Sequence, residues 1–79
     1  MSKLINQPVE LINRNGFPFY FYFKRPYYIK YILRHWREAG QWWLGEDELF
    51  VYEVSTNHCW CELHHSPRQK QWILYRLAD

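Results

Sequence analysis

Residues 57 to 65 read Asn-His-Cys-Trp-Cys-Glu-Leu-His-His, which puts both cysteines and three of the four histidines within nine positions. Thiolates and imidazoles are zinc ligands, and a thiolate beside an imidazole is a nucleophile. Either chemistry requires the donors to converge. On an extended strand Cys59, Cys61, Leu63 and His65 share one face, while His58, Trp60, Glu62 and His64 share the other. Cys59 and Cys61 then stand about 7 Å apart at Cα, but Cys61 and His65 stand about 13 Å apart. A tetrahedral zinc with bonds of about 2.0–2.3 Å does not span that gap. The usual Cys-x2–4-Cys spacing is absent, and no second cysteine pair exists. The stretch is therefore read as a strand whose Cys59 and Cys61 face a core as small apolar side chains. A metal or enzyme site assembled from Cys59, Cys61 and His35 is kept as a third, distant reading.

The other chemistry-bearing residues are no more convergent. Pairing Cys61 with His35 or His58 is an arrangement that any chain of this composition permits. Gly16, Gly40 and Gly45 are scattered and make no phosphate loop. Glu46-Asp47-Glu48 lacks calcium-loop spacing and reads as a solvated turn. Glu62 lies beside two histidines, but an ion pair with Arg76 or Lys70 across neighbouring strands explains it without catalysis. The expectation is a non-enzymatic protein with no catalytic residue, no metal and no cofactor.

The elements that position these residues read as strands. A chain of 79 residues is one domain, 1–79, near the size at which a single core barely suffices. Residues 8–15 alternate loosely and stop at Asn15-Gly16, a favoured hairpin turn. Residues 17–24 alternate cleanly: Phe17, Phe19, Phe21 and Phe23 fall on one face, read as the core, and Tyr20 and Tyr22 on the other. After Lys24-Arg25-Pro26, residues 27–33 put Tyr27, Ile29, Tyr31 and Leu33 on one side. The period of two is then lost, and a short helical turn is expected near 34–39, ending at Gly40. Residues 47–54, 58–65 and 70–77 are three further strand-like runs. The fold class is all-β: an antiparallel meander of about six short strands curled into a small barrel or roll. Trp36, Trp42 and Trp43 are read as plugs for its open end. No apolar run approaches the ~20 residues that span a bilayer, and no secretory leader pattern follows Met1, so a cytoplasmic location and no membrane partner are expected.

Charge and aromatics suggest what such a domain would bind. Up to residue 37 there are seven basic side chains against one acidic, and from residue 38 onward three against seven. Seventeen Phe, Tyr and Trp residues exceed what so small a core requires. With the phenylalanines inside, Tyr20 and Tyr22 face outward beside Lys24 and Arg25, near Tyr28, Lys30 and Arg34. Rings that stack on bases, interleaved with cations that track phosphates, form a single-strand nucleic-acid platform. The candidate nucleic-acid-binding residues are Tyr20, Tyr22, Lys24, Arg25, Lys30 and Arg34, with single-stranded DNA as the expected partner. The alternative is a protein-interaction module that docks a polymerase-like partner or a second copy through an exposed aromatic surface or a strand edge.

The succession QPVEL, GFPFYF, YYIKYIL, HWREAGQWW, FVYEV, CELHH and WILYRLAD resembles a bacterial family of small domains of unknown function. That family occurs alone and at the C-terminal end of proteins related to Y-family (translesion) DNA polymerases. The resemblance covers nearly the whole chain. It is carried by Pro8-Val9, Pro18 with Phe21, Trp36, Trp42-Trp43, Tyr52 with Val54, Glu62-Leu63, and Trp72 with Leu74 and Arg76. Leu49 and Glu53 stand where the family pattern is basic, and Cys59 and Cys61 are not family features. The resemblance implies a setting in DNA damage tolerance, beside a Y-family polymerase-like or other repair protein.

Overall fold

A computed structural model describes residues 2–39 and 48–78. Seven strands follow one another: β1 Ser2–Val9, β2 Leu11–Arg14, β3 Phe17–Tyr22, β4 Pro26–Glu38, β5 Leu49–Thr56, β6 Trp60–Ser66 and β7 Gln71–Ala78. They form one antiparallel sheet in the order β1-β7-β6-β5-β4-β3-β2. Only Glu10 separates β1 from β2, yet these strands lie at opposite edges. A flat sheet of seven strands would hold its edges roughly 29 Å apart at the usual strand spacing. Two residues of chain reach about 7 Å. The sheet is therefore bent round until its edges meet at the Glu10 corner, which makes a half-barrel or roll.

The turns are those the local residues favour. Asn15 (φ 54°) and Gly16 (φ 82°) close the β2–β3 hairpin with two successive left-handed residues. Lys24 (φ 65°) does the same between β3 and β4. Thr56 organises the β5–β6 turn: its Oγ1 accepts from the His58 and Cys59 amides, each at 3.1 Å, and donates to the Cys59 carbonyl at 2.8 Å. That satisfies a hydroxyl that is nearly buried.

The inner face of the roll is the core. Phe21, Tyr27, Val54, Cys61, Leu63, Trp72, Leu74 and Leu77 are buried there, flanked by Ile5, Val9, Leu11, Ile29, Ile32 and Tyr52. Phe21 stacks on Tyr27, its register partner on β4, with ring centres 4.8 Å apart. Burial of such side chains stabilises by roughly 1.5–3 kcal/mol each. The predicted all-β antiparallel roll is the observed architecture, with seven strands in place of about six because residues 2–7, which carry no strand in the sequence reading, belong to β1 Ser2–Val9, while the run at 8–15 is broken at Glu10 and supplies β2.

Four expectations are corrected, and β-bulges account for the first three. First, no helical turn occupies 34–38; Arg34 to Glu38 continue β4 and pair with Glu53 to Leu49 of β5. Register shifts between Ile29 and Tyr31 and between Ile32 and Arg34 insert extra residues. Each insertion flips the side-chain phase, which erases the period of two without ending the strand. Second, the same shifts remove Tyr31 and Leu33 from the Tyr27–Ile29 face and expose them. Third, a shift opposite Ile12 and Asn13 places Pro18, not Phe19, in phase with Phe21; Phe17 is exposed. Trp36 is also no plug: it lies opposite Val51 on the outer face, and its indole N–H donates to Glu38 at 3.1 Å. Trp42, Trp43, Glu46 and Asp47 lie outside the described residues.

Candidate nucleic-acid interface

Cross-strand partners share a face, so the register assigns the outer surface of β2, β3 and β4. Ile12 stands opposite Tyr20, Tyr20 opposite Tyr28, and Tyr22 opposite Pro26. The Tyr20 and Tyr28 rings are in contact at 4.9 Å, and Phe19 meets Tyr28 edge-on at 6.5 Å. The Arg14 guanidinium covers Phe19 at 4.2 Å. Asn57 anchors this sheet to the β5–β6 turn: its Oδ1 accepts the Tyr28 amide at 2.9 Å and its own amide donates to the Tyr28 carbonyl at 3.1 Å. Beyond the first bulge, Tyr31 and Arg34 continue the outer row along β4. Tyr22 is 58% exposed, Tyr28 48% and Tyr31 69%, so ring surface is presented to solvent along the whole row.

The six residues singled out in the sequence are thus placed unequally. Tyr22, Lys24, Arg25 and Lys30 are exposed, Tyr20 is half-buried against Tyr28, and Lys24 and Arg25 form the β3–β4 turn. Arg34 is on the same outer side, but its Nε is paired with Glu53 at 3.1 Å and its guanidinium lies over Trp36 at 4.9 Å. Ile12, Arg14, Phe19, Tyr28 and Tyr31 were outside the predicted set although they lie on this surface. Tyr31 is the clearest omission, because simple alternation assigns it to the core and only the bulge at Lys30 turns it out.

The cysteine–histidine stretch resolves as a core strand. Cys61, Leu63 and His65 face inward, while Cys59 precedes β6 and packs against the core edge. Among the described residues, no three His, Cys, Asp or Glu side chains are grouped so as to hold a metal ion. His35 lies instead against Phe17 and Tyr52, at ring distances of 6.2 and 5.9 Å. Glu62 is in register with Arg76, as the strand pattern suggests, but its carboxylate is hydrogen-bonded to His64, which stacks on Tyr75 at 4.2 Å.

His65 is flat against Trp72, with ring centres 4.2 Å apart and planes within 7°. Burial lowers its pKa below 6.5 by penalising the imidazolium. The unfolded chain therefore takes up this proton first as pH falls. The contribution of His65 to stability is complete above about pH 6.5 and is lost on acidification below it. The melting temperature of the wild type is expected to fall more between pH 7.5 and 5.5 than that of His65→Phe, which keeps the ring and removes the proton site. Equal falls would show that His65 has no part in the acid response.

No family model matches the chain, and no curated protein or solved structure matches it.

Proposed function

We propose that this domain is a non-enzymatic binding module whose β2–β3–β4 surface takes single-stranded nucleic acid. The observation that carries the reading is the row of solvent-facing tyrosines, Tyr22, Tyr28 and Tyr31, interleaved with Lys24 and Lys30. Neither lysine is ion-paired with a carboxylate among the described residues. Bases stack on such rings regardless of sequence, and the ammonium groups follow the phosphates. On the resemblance to the family attached to polymerase-like proteins, its place of action is the bacterial cytoplasm, near translesion synthesis.

Anisotropy titration of labelled single-stranded and duplex DNA at 50 and 200 mM salt tests the reading. If Lys24, Arg25 and Lys30 make about three phosphate contacts, single-strand affinity drops about 20-fold between these salts. Absence of single-strand binding at both salts, with the protein folded, removes the proposal. The second reading, docking of a protein partner, is favoured by one separate observation. Ile12 and Leu33 are more than half exposed on the same strands, and aliphatic side chains serve a protein surface better than a phosphate backbone.

A further inference from the structure

β1 is an edge strand that bends away from its nearest neighbour in sequence. Leu11 of β2 is the register partner of Phe21 on β3, so a straight continuation of the chain would set Val9 beside Phe23. Val9 pairs instead with Trp72 of β7, because the chain turns at Glu10. From that corner β1 and the end of β3 diverge, and the space between them widens toward Ser2. Among the described residues β1 pairs with β7 alone. Lys3, Leu4, Asn6, Gln7 and Pro8 are exposed along it. In an antiparallel pair every second residue turns its N–H and C=O away from the partner strand. β1 therefore carries main-chain donors and acceptors on its outer side.

A pocket of about 230 Å³ lies in this space. Ile5 lines it from β1, Phe23 from the β3–β4 turn, and Tyr27 and Leu77 from the core. Tyr27 and Leu77 are buried, but Ile5 and Phe23 are only half-buried, so both keep apolar surface in water beside the edge. The volume is below the roughly 300–1,000 Å³ of sites that enclose a drug-sized ligand, so it takes one large side chain. The Phe23 and Tyr27 rings favour an aromatic one, which gains ring contacts beyond its buried area. Lys3 also stands on the inner side here, as the register partner of Leu77. A charge turned inward on an edge strand guards it against unspecific pairing. A segment that only adds hydrogen bonds crowds that ammonium, whereas one that also fills the pocket gains apolar burial that offsets the crowding.

We propose that the β1 edge takes an extended segment of a partner protein as an added strand, with one aromatic side chain anchored between Ile5 and Phe23. Main-chain pairing sets the direction of the segment, and the pocket sets its specificity. The bulge between Leu4 and Gln7, with Asn6 at φ 50°, limits the regular edge at the pocket to Ser2–Leu4. The added strand is therefore short, and its anchor carries the discrimination. This site is separate from the tyrosine row of β2–β4 and does not rest on the single-strand reading.

The probe is an acetylated and amidated heptapeptide, Thr-Gln-Thr-Phe-Thr-Gln-Thr, titrated to about 2 mM into isotope-labelled protein while amide shifts are followed. Saturable shifts are expected at Lys3, Leu4, Phe23 and Leu77, with binding at least fivefold tighter than that of the peptide carrying Ala in place of Phe. Two N-methylated forms of the Phe peptide then test the strand itself. One is methylated at the two Thr flanking Phe, the other at Phe and both Gln. Alternate amides of an added strand face opposite sides, so one form should bind as the parent does and the other at least tenfold more weakly. Ile5→Trp, which fills the pocket, should abolish the preference for Phe over Ala, with its urea midpoint reporting whether it folds. The peptide comparisons need no variant and decide the matter if it does not. Tyr31→Ala should leave every peptide affinity unchanged, which keeps this site apart from the nucleic-acid surface. No saturable shift with the Phe peptide, or equal binding of the Phe and Ala forms, overturns the anchor. Equal effects of the two methylation patterns overturn the added strand.

Discussion

Leu63→Ala is expected to destabilise the domain by about 3–4 kcal/mol, within the range found for buried leucines. Leu63 is fully buried on the inner face of β6, opposite Tyr52 on β5 and Leu74 on β7. Both neighbours belong to strands fixed by their own ladders, so the walls of the cavity have little room to collapse. Domains of this size have only about 0.05–0.15 kcal/mol of stability per residue, so the loss is a large share of the whole. In urea, with a slope of roughly 1–3 kcal/mol per molar, the midpoint should fall by more than 1 M. Leu33→Ala is the matched control. Leu33 is 54% exposed beside a bulge of β4, and its truncation should cost no more than about 0.5 kcal/mol. Equal effects at the two leucines would contradict the assignment of inner and outer faces.

Tyr22→Ala combined with Tyr31→Ala should weaken single-stranded DNA binding by about 100-fold, if each ring stacks one base at about 1.4 kcal/mol. These two tyrosines are chosen because they are the most exposed of the row and neither ring meets another aromatic ring among the described residues. Their removal should leave the urea midpoint nearly unchanged, so the readout is binding and not folding. Tyr28 is a poorer choice, since its ring supports Tyr20 and Phe19. The salt dependence of the double variant should stay close to that of the wild type, because lysine and arginine contacts set the slope. An affinity within threefold of wild type would show that the tyrosines do not face a nucleic acid. The exposed aliphatic positions Ile12 and Leu33 would then direct attention to a protein partner.

Glu53 belongs in the same reasoning. It occupies Arg34 on the outer face, and Glu62 stands opposite it on β6. The basic surface is thus bounded on its β5–β6 side by carboxylates, which confines the attraction for an anionic strand to β2–β4 and the β3–β4 turn.

By itself the sequence determined the class of the fold and several of its local features. Alternation in residues 60 to 65 was enough to turn Cys61, Leu63 and His65 inward, and Asn15-Gly16 was enough to mark the first hairpin, because both depend on backbone geometry within a few residues. Only the tertiary structure decided the phase of β3 and β4, since a bulge exists in relation to a partner strand and leaves no period of its own. That is why Tyr31 and Leu33 are outside, why Phe17 left the phenylalanine face, and why 34–38 is strand. The pairing of β1 with β7 was likewise invisible, because it joins the two ends of the chain. It is this long-range closure that sets Lys3 beside Leu77 and within reach of the turn carrying Lys24 and Arg25, and so makes a pocket from residues more than twenty positions apart.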